Sequence, residues 1–156
     1  MVNIINNQQF WPLLTVLLEI IKPISKAQLA SESDKTHLSY TIPRWLNIRT
    51  AWNTLRTSQN SVLQSVDWDS LIKVMDDRFG KQMNNANWAT WALNPLSLSM
   101  PLRVDQQRRV IDFIKTYTPV DQMDKVVAEF YAFKAGEGLF SEVLGLSQGI
   151  HKMKNY

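Results

Sequence analysis

The stretch Asp67–Pro95, DWDSLIKVMDDRFGKQMNNANWATWALNP, decides the fold class of this chain. Trp68, Leu71, Ile72, Met75, Phe79 and Met83 recur at steps of three and four residues, which places them on one side of a helix. Asp69, Lys73, Asp77 and Lys81 follow one another every fourth residue on another side, so opposite charges stand one turn apart along a wetted surface. Trp88 and Trp91 then lead into Leu93-Asn94-Pro95, where the proline disfavours a helical Asn94 and ends the segment.

Outward from this stretch the helical pattern holds. Phe10 to Ile21 carries Leu13, Leu14, Leu17, Leu18, Ile20 and Ile21 around most of a helix circumference. That run is shorter than the ~20 apolar residues needed to cross a bilayer, so it predicts a buried central helix and no membrane segment. Pro12 fits a first turn, and Pro23 is expected to kink the helix or divide it from Ile24–Ala30. SESDKT, residues 31–36, reads as a loop. A helix over Ile42–Thr57 follows, with Thr41 as its cap, Pro43 in its first turn, and Trp45, Ile48, Trp52 and Leu55 as its apolar stripe. TSQNS reads as a connection, and PLSLSMP, bracketed by Pro95 and Pro101, as an extended crossover.

Arg103–Tyr117 is helical through Val110, Phe113, Ile114 and Tyr117, with Arg108 and Asp112 one turn apart. Thr118-Pro119-Val120-Asp121 reads as a helix start capped by Thr118, and the helix buries Met123, Val126, Val127, Phe130 and Tyr131 before stopping at Gly136. Ser141 is expected to cap a short helix through Leu146, and the tail over residues 147–156 to fray.

The 156 residues suit one domain over 1–156, and 45% hydrophobic and 20% charged residues are ordinary globular values. Only five glycines, and apolar residues at helical rather than alternating spacing, predict an all-α bundle of six to seven helices. A formal charge of +3 permits contact with nucleic acid without arguing for it. The absence of cysteine excludes disulfides and thiolate metal sites. The N-terminus lacks the basic region and small-residue cleavage site of a signal peptide. A nuclear or cytoplasmic setting is expected, with delivery into a host cell as the variant in which a signal has been removed.

No assembled set of reactive groups is legible. The two histidines, His37 and His151, stand beside a polar loop and in the tail. Asp76 and Asp77 are adjacent and therefore splay around a helix, and Glu32 with Asp34 is too small a set for calcium. The short signatures of phosphate-binding, dinucleotide-binding, serine-hydrolase and zinc-protease sites do not occur. No catalytic residue, metal or cofactor is therefore assigned. Six tryptophans offer stacking faces for bases, yet five of them lie on or beside apolar stripes, which favours core packing over stacking on bases.

Two contact surfaces are expected. Arg44, Arg49 and Arg56 along the Trp45 helix form the candidate DNA face, because guanidinium groups beside indoles grip phosphate and stack on bases. Trp88, Trp91 and Leu93, or the PLSLSMP crossover, form the candidate protein-partner patch.

The order of landmarks resembles the hAT superfamily of transposases between the second catalytic aspartate and the C-terminal dimerisation segment. FWPLLTVLLEIIKPISKAQLASESDKTHLS at Phe10–Ser39 is similar to the family's FW helix with its I-x-P-I and E-S-D segment. DDRFGKQM at Asp76–Met83 resembles the acid-arginine helix, and NWATWALNP at Asn87–Pro95 the element that closes on Leu-Asn-Pro. FYAFKAGEGLFSE at Phe130–Glu142 resembles the Y-x-x-x-x-G-x-F helix end. The resemblance implies a piece of the all-helical domain inserted into an RNase-H-like catalytic fold. The family's three metal-holding carboxylates would lie before Met1 and after Tyr156, and no acid of this chain matches them. Arg44-Trp45 matches the family's arginine-tryptophan motif only superficially, and the family's zinc finger is missing. The expected function is a non-catalytic protein-interaction module, with a DNA-contacting helical domain of a transposase as one alternative and a pathogen effector or host regulator that binds a protein partner as the other; a protein partner, weak nucleic-acid binding and a monomer by default are expected.

Overall fold

The computed structural model describes residues 7–33, 36–98 and 100–141, and its fold is all-α, with seven α-helices and no strand among those residues. The helices are α1 (Phe10–Ser31), α2 (Thr41–Arg56), α3 (Ser61–Gln64), α4 (Trp68–Gln82), α5 (Asn85–Ala92), α6 (Val104–Tyr117) and α7 (Met123–Ala135). Single 3₁₀ turns at Leu38–Tyr40, Pro95–Ser97 and Val120–Gln122 join some of them. The chain divides into two compact units, residues 1–82 and residues 83–156.

In the first unit, Val16 of α1, Ile48 and Trp52 of α2, Leu63 of α3, and Trp68 and Met75 of α4 form a buried cluster, with Ile20, Ala27, Trp45, Leu55, Leu71 and Ile72 packed against it. The stripe read from α2, and Trp68, Leu71, Ile72 and Met75 of the stripe read from α4, thus face this core, while Met83, expected on the same helix side, lies past the end of α4 in the second unit. Two indoles tie their helices together: Trp52 Nε1 donates to the Ile20 carbonyl at 2.9 Å, and Trp68 Nε1 donates to the Leu63 carbonyl at 2.9 Å. A buried indole needs such an acceptor, since leaving its N–H unpaired costs a full desolvation penalty.

α1 differs from expectation in two ways. It runs unbroken for 22 residues with Pro23 inside it. Pro23 offers no N–H to the Glu19 carbonyl, but packing on α2 and the Trp52 hydrogen bond one residue further on hold the segment helical. Nor is α1 a buried central helix: Val16 is its one buried residue among those described. Its neighbours in this unit cover only the side bearing Val16, Ile20 and Ala27.

Side-chain caps fix the short elements. Asn60 Oδ1 accepts from the Val62 amide at 2.9 Å and starts α3, a short helix at the end of the expected TSQNS connection. Asp67 Oδ1 accepts from the Ser70 amide at 3.0 Å and Oδ2 from the Ser70 hydroxyl at 2.7 Å, opening α4. Thr41 does not cap α2. It is the first helical residue, entered from the Leu38–Tyr40 turn, and Pro43 lies in the first turn as expected. The predicted Asp69–Lys73–Asp77–Lys81 ladder also gives way. Asp69 instead pairs with Arg56 of α2 at 3.0 Å.

In the second unit, Asn84 and Asn87 form a reciprocal capping box at 3.0 and 3.1 Å and launch α5, which packs along α6. Trp88, Ala89, Trp91 and Ala92 of α5 and Val110 and Ile114 of α6 are buried. After α5, Asn94 Oδ1 accepts from the Leu96 amide at 3.0 Å, and the buried Ser97 hydroxyl donates to the Trp91 carbonyl. These bonds fold the expected extended crossover into a 3₁₀ turn. α7 opens through another such turn, and no side-chain oxygen caps it, so Thr118 does not play the expected role. Phe130 is buried as predicted, but Phe133 takes the inner position assigned to Tyr131, which is exposed. Gly136 ends α7 with φ 69°, and the Gly136 and Glu137 amides return to the Phe133 and Ala132 carbonyls. The helix expected from Ser141 to Leu146 and the tail lie beyond the described residues, apart from Ser141 itself.

Candidate protein-contact surface

The apolar residues of α1 sort into two stripes because a helix advances 100° per residue. Val16, Ile20 and Ala27 face the core, while Leu13, Leu17, Ile21 and Ile24, at steps of four, four and three, form a stripe along the flank of that face, with Leu18 further out. These five outer side chains are between 41% and 58% exposed. Scattered exposed leucines need no explanation, but a continuous ridge of them on one helix is a candidate contact surface.

At its C-terminal end the ridge meets a cleft of about 560 Å³ between α1, α2 and α4. Ile24 belongs to both. Ile48, Trp52 and Met75 lie deep in the cleft, and Trp45, Leu71 and Val74 complete its apolar wall. Arg44, Arg78, Gln28 and Gln82 line it as well, and no acidic side chain does. A second hollow of about 490 Å³ opens across the α1–α2 seam, past Ala27, Arg44 and Ile48, toward Lys22 and Lys26.

The three arginines of the expected DNA face are all engaged within the first unit. Arg44 Nη2 donates to the Ala30 carbonyl at 2.8 Å and Nη1 to the Ser31 hydroxyl at 3.0 Å, with its guanidinium 5.9 Å from the Tyr40 ring centre. It thereby closes the last turn of α1, which has no basic residue of its own there. Arg49 pairs with Asp76 at 2.9 Å and Arg56 with Asp69 at 3.0 Å, bracing α2 against α4. The sequence could not give these acids to these arginines, because the pairs are 27 residues apart for Arg49 and lie across helices.

Of the three residues expected to meet a partner, Trp88 and Trp91 are core. Their rings pack edge to face at 5.8 Å, and each is buried. Leu93 is exposed, as are Leu96 and Met100 on the crossover. A contact patch there would therefore consist of aliphatic side chains rather than indoles. Sequence reasoning missed the outer face of α1, although its signal was present: the run from Phe10 to Ile24 has more apolar positions than one face can bury.

Chemistry-bearing groups stay dispersed. His37 sits by Tyr40, with ring centres 5.8 Å apart, and among the described residues no three acids, histidines or cysteines are grouped to hold a metal ion. His151 and Asp34 lie outside the described residues. Asp67 has its carboxyl pulled below the ordinary aspartate value by the Ser70 hydroxyl and amide. That is the effect of a helix cap, not of a reactive site. No described helix is long and apolar enough to cross a membrane. No protein-family model, curated protein or solved structure matches the chain.

Proposed function

We propose that this chain is a non-catalytic protein-interaction module, derived from the helical insertion region of a hAT-like transposase, that binds its partner through the outer face of α1. The observation carrying the proposal is the ridge Leu13–Leu17–Ile21–Ile24, which stays open to solvent along a helix otherwise anchored to a packed core. The descent is supported by the ordered landmarks between Phe10 and Glu142. None of them carries the carboxylates that the family's strand-transfer chemistry requires.

The test compares the intact protein with a Leu17→Glu/Ile21→Glu double variant in affinity capture and in a cleavage assay on duplex and branched DNA. The proposal expects a binding protein retained by the former and lost from the latter, with no cleavage by either. Equal retention by both, or magnesium-dependent cleavage abolished by EDTA, would overturn it.

A further inference from the structure

The ridge and the cleft make one surface, because Ile24 ends the first and borders the second. From Leu13 to Ile24 the ridge runs about 16 Å at the helical rise. This length matches three turns of an opposing helix. Beyond Ile24 the surface turns concave, with Trp45 and Val74 on its walls and Ile48, Trp52 and Met75 at depth. Such a hollow, with buried aromatic and aliphatic atoms at its base, accepts a single large apolar side chain projecting from a ligand helix.

The charge at the cleft has one sign. Arg78 stands on α4 at its edge without an ion pair among the described residues, and Arg44 adds a second guanidinium from α2, part of whose five-donor fork is left over by Ala30, Ser31 and Thr36. Two acids stand beside the cleft and outside its lining, each already engaged: Glu32 accepts from Gln28 Nε2 at 3.0 Å, and Asp76, next to Met75, pairs with Arg49 at 2.9 Å. We infer that the partner of this surface is an acidic amphipathic helix, which lays leucine-like residues along Leu13–Ile24, seats one large apolar anchor in the Trp45–Met75 cleft and sets its carboxylates against Arg78 and Arg44. The inference rests on the proposed use of the α1 face and adds the class of partner. A concave end flanked by guanidinium groups suits a helix with flanking acids better than a flat lipid surface, which cannot fill the hollow.

The experiment uses the full chain and a fluorescent 16-residue amphipathic peptide with leucines at helical spacing and glutamates beside them, measured by anisotropy at low and moderate salt. The expected result is saturable binding, at least tenfold tighter than that of the same peptide with lysines replacing the glutamates, and weakened by salt. Arg78→Glu should weaken binding about tenfold, and Val74→Glu should abolish it, while Val120→Glu, on the exposed turn before α7, changes nothing. Both substituted residues lie on the surface, and circular dichroism is the check that the variants are folded. Equal or tighter binding of the lysine peptide overturns the acidic assignment. So does concentration-dependent self-association, or binding to phosphatidylcholine–phosphatidylglycerol vesicles, abolished by Leu17→Glu in place of peptide binding. In those cases the α1 face still serves contact and only the partner class is wrong. If peptides, a second copy and vesicles all fail to engage a folded protein, the reading of the face fails with it.

Discussion

The guanidinium of Arg44 lies 2.8 Å from the Ala30 carbonyl, so a side chain of α2 closes the last turn of α1. α1 has no glycine stop and no basic residue at that end, and the Ser33 and Thr36 hydroxyls, at 3.0 and 2.7 Å, share the Ala30 carbonyl with Arg44. Arg44 thus ties the end of the long helix to α2 and places a positive charge at the mouth of the cleft.

Replacing Arg44 with methionine keeps much of the stem and removes the charged member of the cap, leaving the Ser33 and Thr36 hydroxyls on the Ala30 carbonyl. The expected loss is about 1 kcal/mol in urea unfolding, and lysine should restore only part of it, since a point charge cannot serve the Ala30 carbonyl and the Ser31 hydroxyl in the same geometry. Full rescue by lysine would show that the charge alone matters.

Trp52 tests the anchoring of α1 around Pro23. Trp52→Phe removes the hydrogen bond to Ile20 while keeping most of the ring, and should cost about 1–3 kcal/mol, because the Ile20 carbonyl loses a partner and the cluster loses volume. Trp52→Ala should cost roughly 3–5 kcal/mol. Hydrogen exchange would place the added opening in residues 20–27.

Arg49→Ala with Arg56→Ala should change stability by no more than about 1 kcal/mol per pair, as both ion pairs are half-open to water. Because these arginines are already matched by Asp76 and Asp69, any affinity for duplex DNA should keep its salt dependence in the double variant. A log–log salt slope shallower by about two would mean that both guanidinium groups meet phosphate instead.

Acid should weaken the start of α4. The Asp67 carboxyl is held below its ordinary value by Ser70, so its cap is fully present above the unfolded-state value and is lost as pH falls through the folded one. In Asp67→Ala that acid-sensitive part of the stability should vanish, read from unfolding midpoints between neutral and strongly acid pH. Asn84→Ala, which breaks the other unit's capping box, should cost about 1 kcal/mol with no such pH dependence.

The sequence told most where one physical rule acts alone. Trp68, Leu71, Ile72 and Met75 repeat on a single side of a helix whose other sides are polar, so their inward direction follows from period alone. On α1 nearly every side is apolar, and periodicity cannot say which stripe finds neighbours; Val16 and Ile20 do, Leu17 and Ile21 do not. Trp88 and Trp91 could be proposed as contacts only because burial depends on α6, whose packing is not written in the α5 segment. Asn60 escaped notice for a different reason. Its cap serves a single short helix with no period to announce it.

The most direct test of the α1 face is the unfolding free energy of the Leu17→Glu/Ile21→Glu variant. If the ridge faces solvent and awaits a partner, the variant should unfold within about 0.5 kcal/mol per substitution of the native protein while losing its binding. A loss of several kcal/mol would show that the ridge is packed within the chain itself, and the proposed contact surface would not exist.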